Sequence, residues 1–132
     1  MQPDPARGPS GKHPMRILIV DDHEIFRAAC CALLRTEGMD VIADVPAGST
    51  AIPTAIALRP ELAIVDVTPA DDTGLGIVRR LAALPDPPAI VLTSSAERGQ
   101  FGAQLDGYRF VAKADLRAEA ITVTQERPRT CP

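Results

Sequence analysis

Short apolar blocks recur along this chain, and each stops at a residue with chemistry to offer. Ile17-Leu18-Ile19-Val20 runs into Asp21 and Asp22, and Leu62-Ala63-Ile64-Val65 into Asp66. Ala89-Ile90-Val91-Leu92 runs into Thr93 and Ser94, and Phe110-Val111-Ala112 into Lys113. Blocks of this length between turn and helix signals predict buried parallel strands. The intervening segments change period. From Glu24 to Glu37 the apolar positions Phe26, Cys30, Leu33 and Leu34 predict an amphipathic helix stopped by Gly38. Val41 to Val45 predicts a second strand, and Ser49 or Thr50 can cap a helix running to about Arg59, with Pro53 tolerable near its first turn. Leu62 to Val67 is the third predicted strand and Gly74 to Leu84 the next helix, with Arg79 and Arg80 on its exposed face; Pro85, Pro87 and Pro88 then break the chain. A weak helix from about Glu97 to Leu105, interrupted by Gly99 and Gly102, precedes the fifth strand at Arg109 to Ala112. Asp115 suits the N-cap of a last, short helix, since Ile121-Thr122-Val123-Thr124 is β-branched and Pro128 follows.

Strands alternating with helices predict a doubly wound α/β fold, a five-stranded parallel sheet with helices on both faces. Ligands of such sheets bind beyond the carboxyl ends of the strands. Three carboxylates, a hydroxyl and an ammonium are therefore expected at one edge. The chain has 132 residues, enough for one domain with its own core. Residues 15–120 form that expected domain. Residues 1–14, rich in Pro and Gly, are expected as a disordered extension, and residues 121–132 as a tail or truncated linker.

Charge narrows the function classes. The net charge is −3; the first fourteen and last thirteen residues carry +1 each, leaving −5 on residues 15–119. With no basic stripe, and with Phe26, Phe101, Phe110 and Tyr108 as its aromatics, the chain lacks the electrostatic footprint of nucleic-acid binding. No apolar stretch approaches the ~20 residues of a membrane span, and the first residues do not resemble a secretion signal. Cys30, Cys31 and Cys131 lack metal-ligand spacing and predict buried thiols or a tail residue in a reducing, cytoplasmic setting.

Crowding Asp21, Asp22 and Asp66 together has a physical consequence. Two carboxylates ~4 Å apart repel by roughly 4 kcal/mol at an effective dielectric of 20, so either a proton or a cation must sit among them. An all-oxygen set favours Mg²⁺ or Mn²⁺ over zinc, which would want His or Cys. Taken alone, Asp21-Asp22 equally suits capping of the following helix. Lys113 carries its own argument: twelve of the fourteen basic residues are Arg, and the other lysine, Lys12, lies in the extension. A compact ammonium suits pairing with a carboxylate or phosphoryl oxygen, though a snorkelling lysine is the ordinary alternative. Thr93 can donate its hydroxyl to the same group, or simply end a strand. His23 is expected as a partly exposed residue beginning the first helix, and Asp71 and Asp72 as solvated loop residues.

The segments ILIVDDHEIFR, LRPELAIVDV, TGLGIVRRL, AIVLTSSA and RFVAKADL resemble a response-regulator receiver domain, most like those joined to a helix-turn-helix output. The resemblance runs from Arg16 to about Ala118 and implies the flavodoxin-like strand order 2-1-3-4-5. It implies that Asp66 takes a phosphoryl group from a sensor histidine kinase. Asp22, Asp66 and the backbone carbonyl of Thr68 would ligate Mg²⁺, or Mn²⁺, with Asp21 acting through water. Thr93 would close on the phosphoryl group, Lys113 would pair with it, and Phe110 holds the aromatic switch position. No turnover of an external substrate is implied beyond slow self-dephosphorylation. The partners implied are the kinase and either a second copy or a DNA-binding output domain.

Two departures from the family pattern carry expectations of their own. Pro69 stands one residue earlier than is usual, so Thr68 is biased toward extended backbone and its carbonyl is expected to be re-aimed. Lys113 follows Thr93 by 20 residues, a shorter interval than the family's, with the shortfall in the glycine-broken fourth helix. Both suit an alternative function, a receiver-like interaction module that works without phosphorylation. An aspartate-nucleophile phosphatase is disfavoured because Thr68 stands where that chemistry needs a second acid.

Overall fold

A computed structural model describes residues 13–46, 49–69 and 71–121. The five apolar blocks are strands: β1 Arg16–Val20, β2 Asp40–Val45, β3 Leu62–Asp66, β4 Ala89–Ser94 and β5 Arg109–Ala112. All pair in parallel in the order β2-β1-β3-β4-β5, as the resemblance implies. Three α-helices lie between them: α1 Glu24–Thr36, α2 Ala51–Leu58 and α3 Thr73–Ala82.

Alternation along β1 explains the layering. Ile17 and Ile19 face a cluster with Cys30, Cys31 and Leu34 of α1, while Leu18 and Val20 face a second cluster with Ala51, Ile52 and Ala55 of α2 and Leu75, Val78 and Leu81 of α3. A strand buried on both faces has no polar alternation to show, which is why the central strands β1 and β3 carry continuous apolar runs, whereas the edge strand β2 holds Asp40 and Asp44. Helix α1 turns slightly from its expected face. Cys31 is buried, whereas Leu33, expected inside, is 42% exposed and Ile25 is 87% exposed. Both described cysteines are buried, and burial pushes the Cys30 thiol up to about 12, so it is an inert core group. Cys131 lies outside the described residues.

The weak fourth helix is a 3₁₀ segment, Arg98–Leu105, kinked at Gly102 where φ is +60°. Glycine takes that conformation without a Cβ clash. The expected last helix also differs. Lys113–Asp115 is a 3₁₀ turn, Asp115 makes no cap there, and helix resumes only at residues 118–121. The N–H of Ala118 instead donates to the Glu37 carboxylate at the end of α1. The expected extension at 1–14 and tail at 121–132 fall almost wholly outside the described residues.

Leu34 is fully buried in the α1 layer. Leu34→Ala is expected to cost about 2–5 kcal/mol of stability. Urea denaturation checks this, with the same change at Leu33 costing distinctly less.

Candidate functional site

Parallel strands that start together end together, and register decides which end residues meet. Val20 pairs with Val65, Asp66 with Thr93, and Ser94 with Ala112, so Asp21, Asp66, Thr93 and Lys113 arrive at one edge. Pairing continues past Asp66, where the Val67 N–H donates to the Thr93 carbonyl at 2.9 Å.

Asp21 is the most firmly held of the acids. Its N–H donates to the Val45 carbonyl at 3.0 Å, and its own carbonyl accepts from Arg27 Nη1 at 2.6 Å. Arg27 also reaches Asp44 of β2 through Nε at 3.0 Å, so one guanidinium ties α1 to two strands. The Asp21 side chain is 1% exposed, and its Oδ1 accepts from the His23 N–H at 2.8 Å. Arg27 stands within the segment ILIVDDHEIFR, yet nothing local marked it as the anchor of Asp21.

Lys113 fills the space between the acids. Its Nζ lies 3.1 Å from Asp21 Oδ2, 3.3 Å from Asp66 Oδ1 and 3.3 Å from His23 Nδ1, and 4.4 Å from the centre of the Phe26 ring. Asp21 Oδ2 meets Lys113 as an ion pair and makes no hydrogen bond among the described residues. Lys113 is 11% exposed, so it is a placed charge rather than a snorkelling one. His23 is exposed, as expected, but its ring is not a bystander. Nδ1 lies 3.1 Å from Asp21 Oδ1 and 3.6 Å from Asp66 Oδ2. Burial, then the charge of Asp21, raises the Asp66 pKa above its ordinary value, while Lys113 and His23 pull it down.

Asp22 points elsewhere. It is exposed and lines a small cavity with Asp66, Thr68, Asp71, Thr73 and Gly74. The carbonyl of Thr68 accepts from the Asp71 N–H at 3.2 Å in a tight bridged turn, the local outcome of the early Pro69. Asp71 does more than meet solvent. Its Oδ1 accepts from the Thr73 N–H at 2.9 Å and the Thr73 hydroxyl at 2.6 Å, which holds its carboxyl below the usual range and fixes the start of α3. Gly74 is required by close approach, since a Cβ there would lie 2.4 Å from the Asp66 carbonyl oxygen.

Thr93 is buried, and its Oγ1 has no hydrogen-bond partner among the described residues. A buried hydroxyl left so is ready to donate to an oxygen that arrives later. Phe110 is half-buried, its ring centre 6.2 Å from that of Phe101 at 57°, with the Arg98 guanidinium 6.0 Å from the ring.

The donor set suits a hard cation. Three carboxylates, Asp21, Asp22 and Asp66, outnumber the one Lys113 ammonium at this edge, and the cavity beside Asp66 is lined by Asp22, Asp71, Thr68 and Thr73. Oxygen donors with room for water fit Mg²⁺ or Mn²⁺. Asp21, His23 and Asp66 also bring one donor atom each within 4.8 Å of one another.

Residues 17–124 match the response regulator receiver domain family, and the chain belongs to it. Among curated relatives, the response regulator protein VraR of Staphylococcus saprophyticus is 32% identical over 95 residues, 70% of this chain and 46% of that protein. A protein-glutamate methylesterase/protein-glutamine glutaminase of Anaeromyxobacter dehalogenans is 34% identical over 86 residues, 64% of this chain but 25% of that enzyme. Among solved structures, the signal receiver domain of NarL from Mycobacterium tuberculosis aligns with a TM-score of 0.70 at 20% identity, covering 86% of this chain and 98% of that one. The chain spans about a quarter to a half of the length of the curated relatives it matches. Among the described residues no helix is long and apolar enough to cross a membrane.

The raised Asp66 pKa sets a pH dependence. The folded state holds the proton more tightly than the unfolded chain, so stability is lost as pH rises from the ordinary aspartate value of 3.8 through the folded value. In metal-free protein Asp66→Asn is therefore expected to melt higher than the parent at neutral pH, the gap closing in acid. Thermal melts across pH check it, and a less stable variant at neutral pH contradicts it.

Proposed function

We propose that Asp66 is the phosphoacceptor of this receiver domain, charged by a sensor histidine kinase and assisted by Mg²⁺ or Mn²⁺. The observation that carries the reading is the juxtaposition at one strand edge of a half-buried carboxylate, an ammonium 3.3 Å away, and a buried hydroxyl with no hydrogen-bond partner among the described residues. An Asp66 oxygen forms the new bond to phosphorus as the bond from phosphorus to the donor's imidazole nitrogen breaks, the electron pair leaving with the nitrogen. Little covalent chemistry is asked of the protein, so positioning and charge neutralisation carry the acceleration. Asp22, Asp66 and the Thr68 carbonyl would hold the ion, with Asp21 acting through water; the ion's part is to neutralise charge on the phosphoryl oxygens.

Each remaining side chain has a task that its chemistry allows. Lys113 shifts from sharing two carboxylates to pairing with the phosphoryl group. Thr93 donates its hydroxyl to a phosphoryl oxygen, and Phe110 repacks against the 3₁₀ segment Arg98–Leu105. That is a shift between two packings, driven by the added negative charge and acceptor oxygens. Water attacking phosphorus restores the carboxylate, a slow self-reset with no turnover of an outside substrate. The reshaped surface would act in the cytoplasm on a second copy or on a DNA-binding output domain. Relatives up to four times the matched length support an output beyond this unit.

A phosphorylation-independent interaction module is the second reading. It is favoured by the Thr68 carbonyl's engagement with Asp71 and by the kink at Gly102. Acetyl phosphate with Mg²⁺ separates the two. The proposal expects a mass gain of one phosphoryl group, lost in Asp66→Asn and reduced at least about tenfold in rate in Lys113→Ala. Intact mass spectrometry reads the result, and an unmodified parent chain favours the second reading.

A further inference from the structure

Acids that hold a metal must be aimed as well as supplied. Asp44 stands on β2, on the opposite side of β1 from Asp66, and its partner Arg27 reaches the backbone of Asp21. We propose that Arg27, held by Asp44, is a positioning residue for the acidic pair: it fixes the peptide between Asp21 and Asp22, and through that peptide the direction from which Asp22 meets the cavity beside Asp66. The inference deepens the reading of Asp22 as a metal ligand and rests on it.

Bonds on both sides bracket Asp22. The carbonyl before it, that of Asp21, accepts from Arg27 Nη1 at 2.6 Å, and the N–H after it, that of His23, donates to Asp21 Oδ1 at 2.8 Å. A peptide is planar, so a bond to the Asp21 carbonyl also orients the N–H and Cα of Asp22. Arg27 can hold that carbonyl because it is itself held. Its N–H donates to the His23 carbonyl at 2.8 Å as α1 begins, and its Nε donates to Asp44 Oδ2 at 3.0 Å. The Asp21 N–H donates to the carbonyl of Val45, the neighbour of Asp44, at 3.0 Å. The end of β2 therefore secures Asp21 twice, once through backbone and once through the guanidinium.

A planar guanidinium serves two acceptors in fixed directions, which a lysine ammonium does not. The Arg27 side chain is 16% exposed and that of Asp44 36%, so solvent screens the pair incompletely. Charge and position make opposite predictions for this residue. Arg27 is a cation close to the acids, so by charge alone its removal would tighten the binding of a divalent ion. By position, its removal frees the Asp21–Asp22 peptide and weakens that binding. Groups that orient metal ligands without touching the ion are typically worth about 10–100-fold in affinity, enough for position to win.

Mg²⁺ titration of the full chain, followed by backbone amide resonances, reads the sign. Arg27→Met, which keeps an apolar stem and removes the fork, is expected to weaken Mg²⁺ binding by about tenfold. Asp44→Asn is expected to weaken it severalfold in the parent and to change nothing in the Arg27→Met background, because Asp44 acts through Arg27. Equal or tighter binding in Arg27→Met, or the same loss from Asp44→Asn in both backgrounds, would overturn the proposal. Amide exchange of the metal-free chains adds a readout that a general loss of stability does not reproduce. In Arg27→Met the N–H groups of Asp21 and His23 are expected to exchange severalfold faster relative to those at the centres of β1 and β3. Uniform acceleration across the sheet would mark Arg27 as a stabiliser of the fold alone and would sink the idea as well. A parent chain that binds no Mg²⁺, or binds it undiminished in Asp22→Asn, contradicts the ligand reading instead, and the exchange rates then decide the Arg27 brace by themselves.

Discussion

One ammonium between two carboxylates organises this molecule's working edge. Lys113 Nζ lies 3.1 Å from Asp21 and 3.3 Å from Asp66, at a depth where an isolated charge is costly. Opposite charges ~4 Å apart attract by roughly 4 kcal/mol at an effective dielectric of 20, and like charges at that distance repel on the same scale. Desolvating all three groups consumes much of that gain, so the trio positions charge more than it stabilises the fold. Asp22 adds a third carboxylate to the same edge.

The fold supplies this arrangement cheaply. Strands buried on both faces require helices on both sides, and parallel order then brings four strand ends to one edge. Arg27 braces Asp21 through its backbone carbonyl rather than its carboxylate, leaving the acid's oxygens for the cations. Gly74 lets α3 approach the backbone of Asp66, and Asp71 ties the loop between them. The buried Thr93 hydroxyl and the half-buried Phe110 stand on neighbouring strands, Thr93 paired with Val111 and Leu92 with Phe110.

Most of the sheet could be read from the chain, because doubly buried strands must be continuously apolar and their order follows from the family resemblance. Strand ends named the acids, the threonine and the lysine for the same reason. Other features depend on distance in the chain. The His23 contact with Lys113 spans 90 positions, and the Glu37 carboxylate that meets the Ala118 N–H lies 81 positions away, so Asp115 looked like a cap only locally. Helical periodicity could not decide between Cys31 and Leu33, because a modest rotation of α1 exchanges them. The turn that engages the Thr68 carbonyl was foreshadowed by Pro69, but its partner Asp71 was not.

Lys113, 3.3 Å from Asp66, favours the ionised form of that carboxyl against burial and the charge of Asp21. Carbon-detected NMR titration of the Asp66 carboxyl in metal-free parent and Lys113→Met measures this most directly. Asp66 is expected to take up its proton at a clearly higher pH in the variant, since the attraction that favours its ionised form is gone. Superimposable titration curves for the two proteins would contradict it.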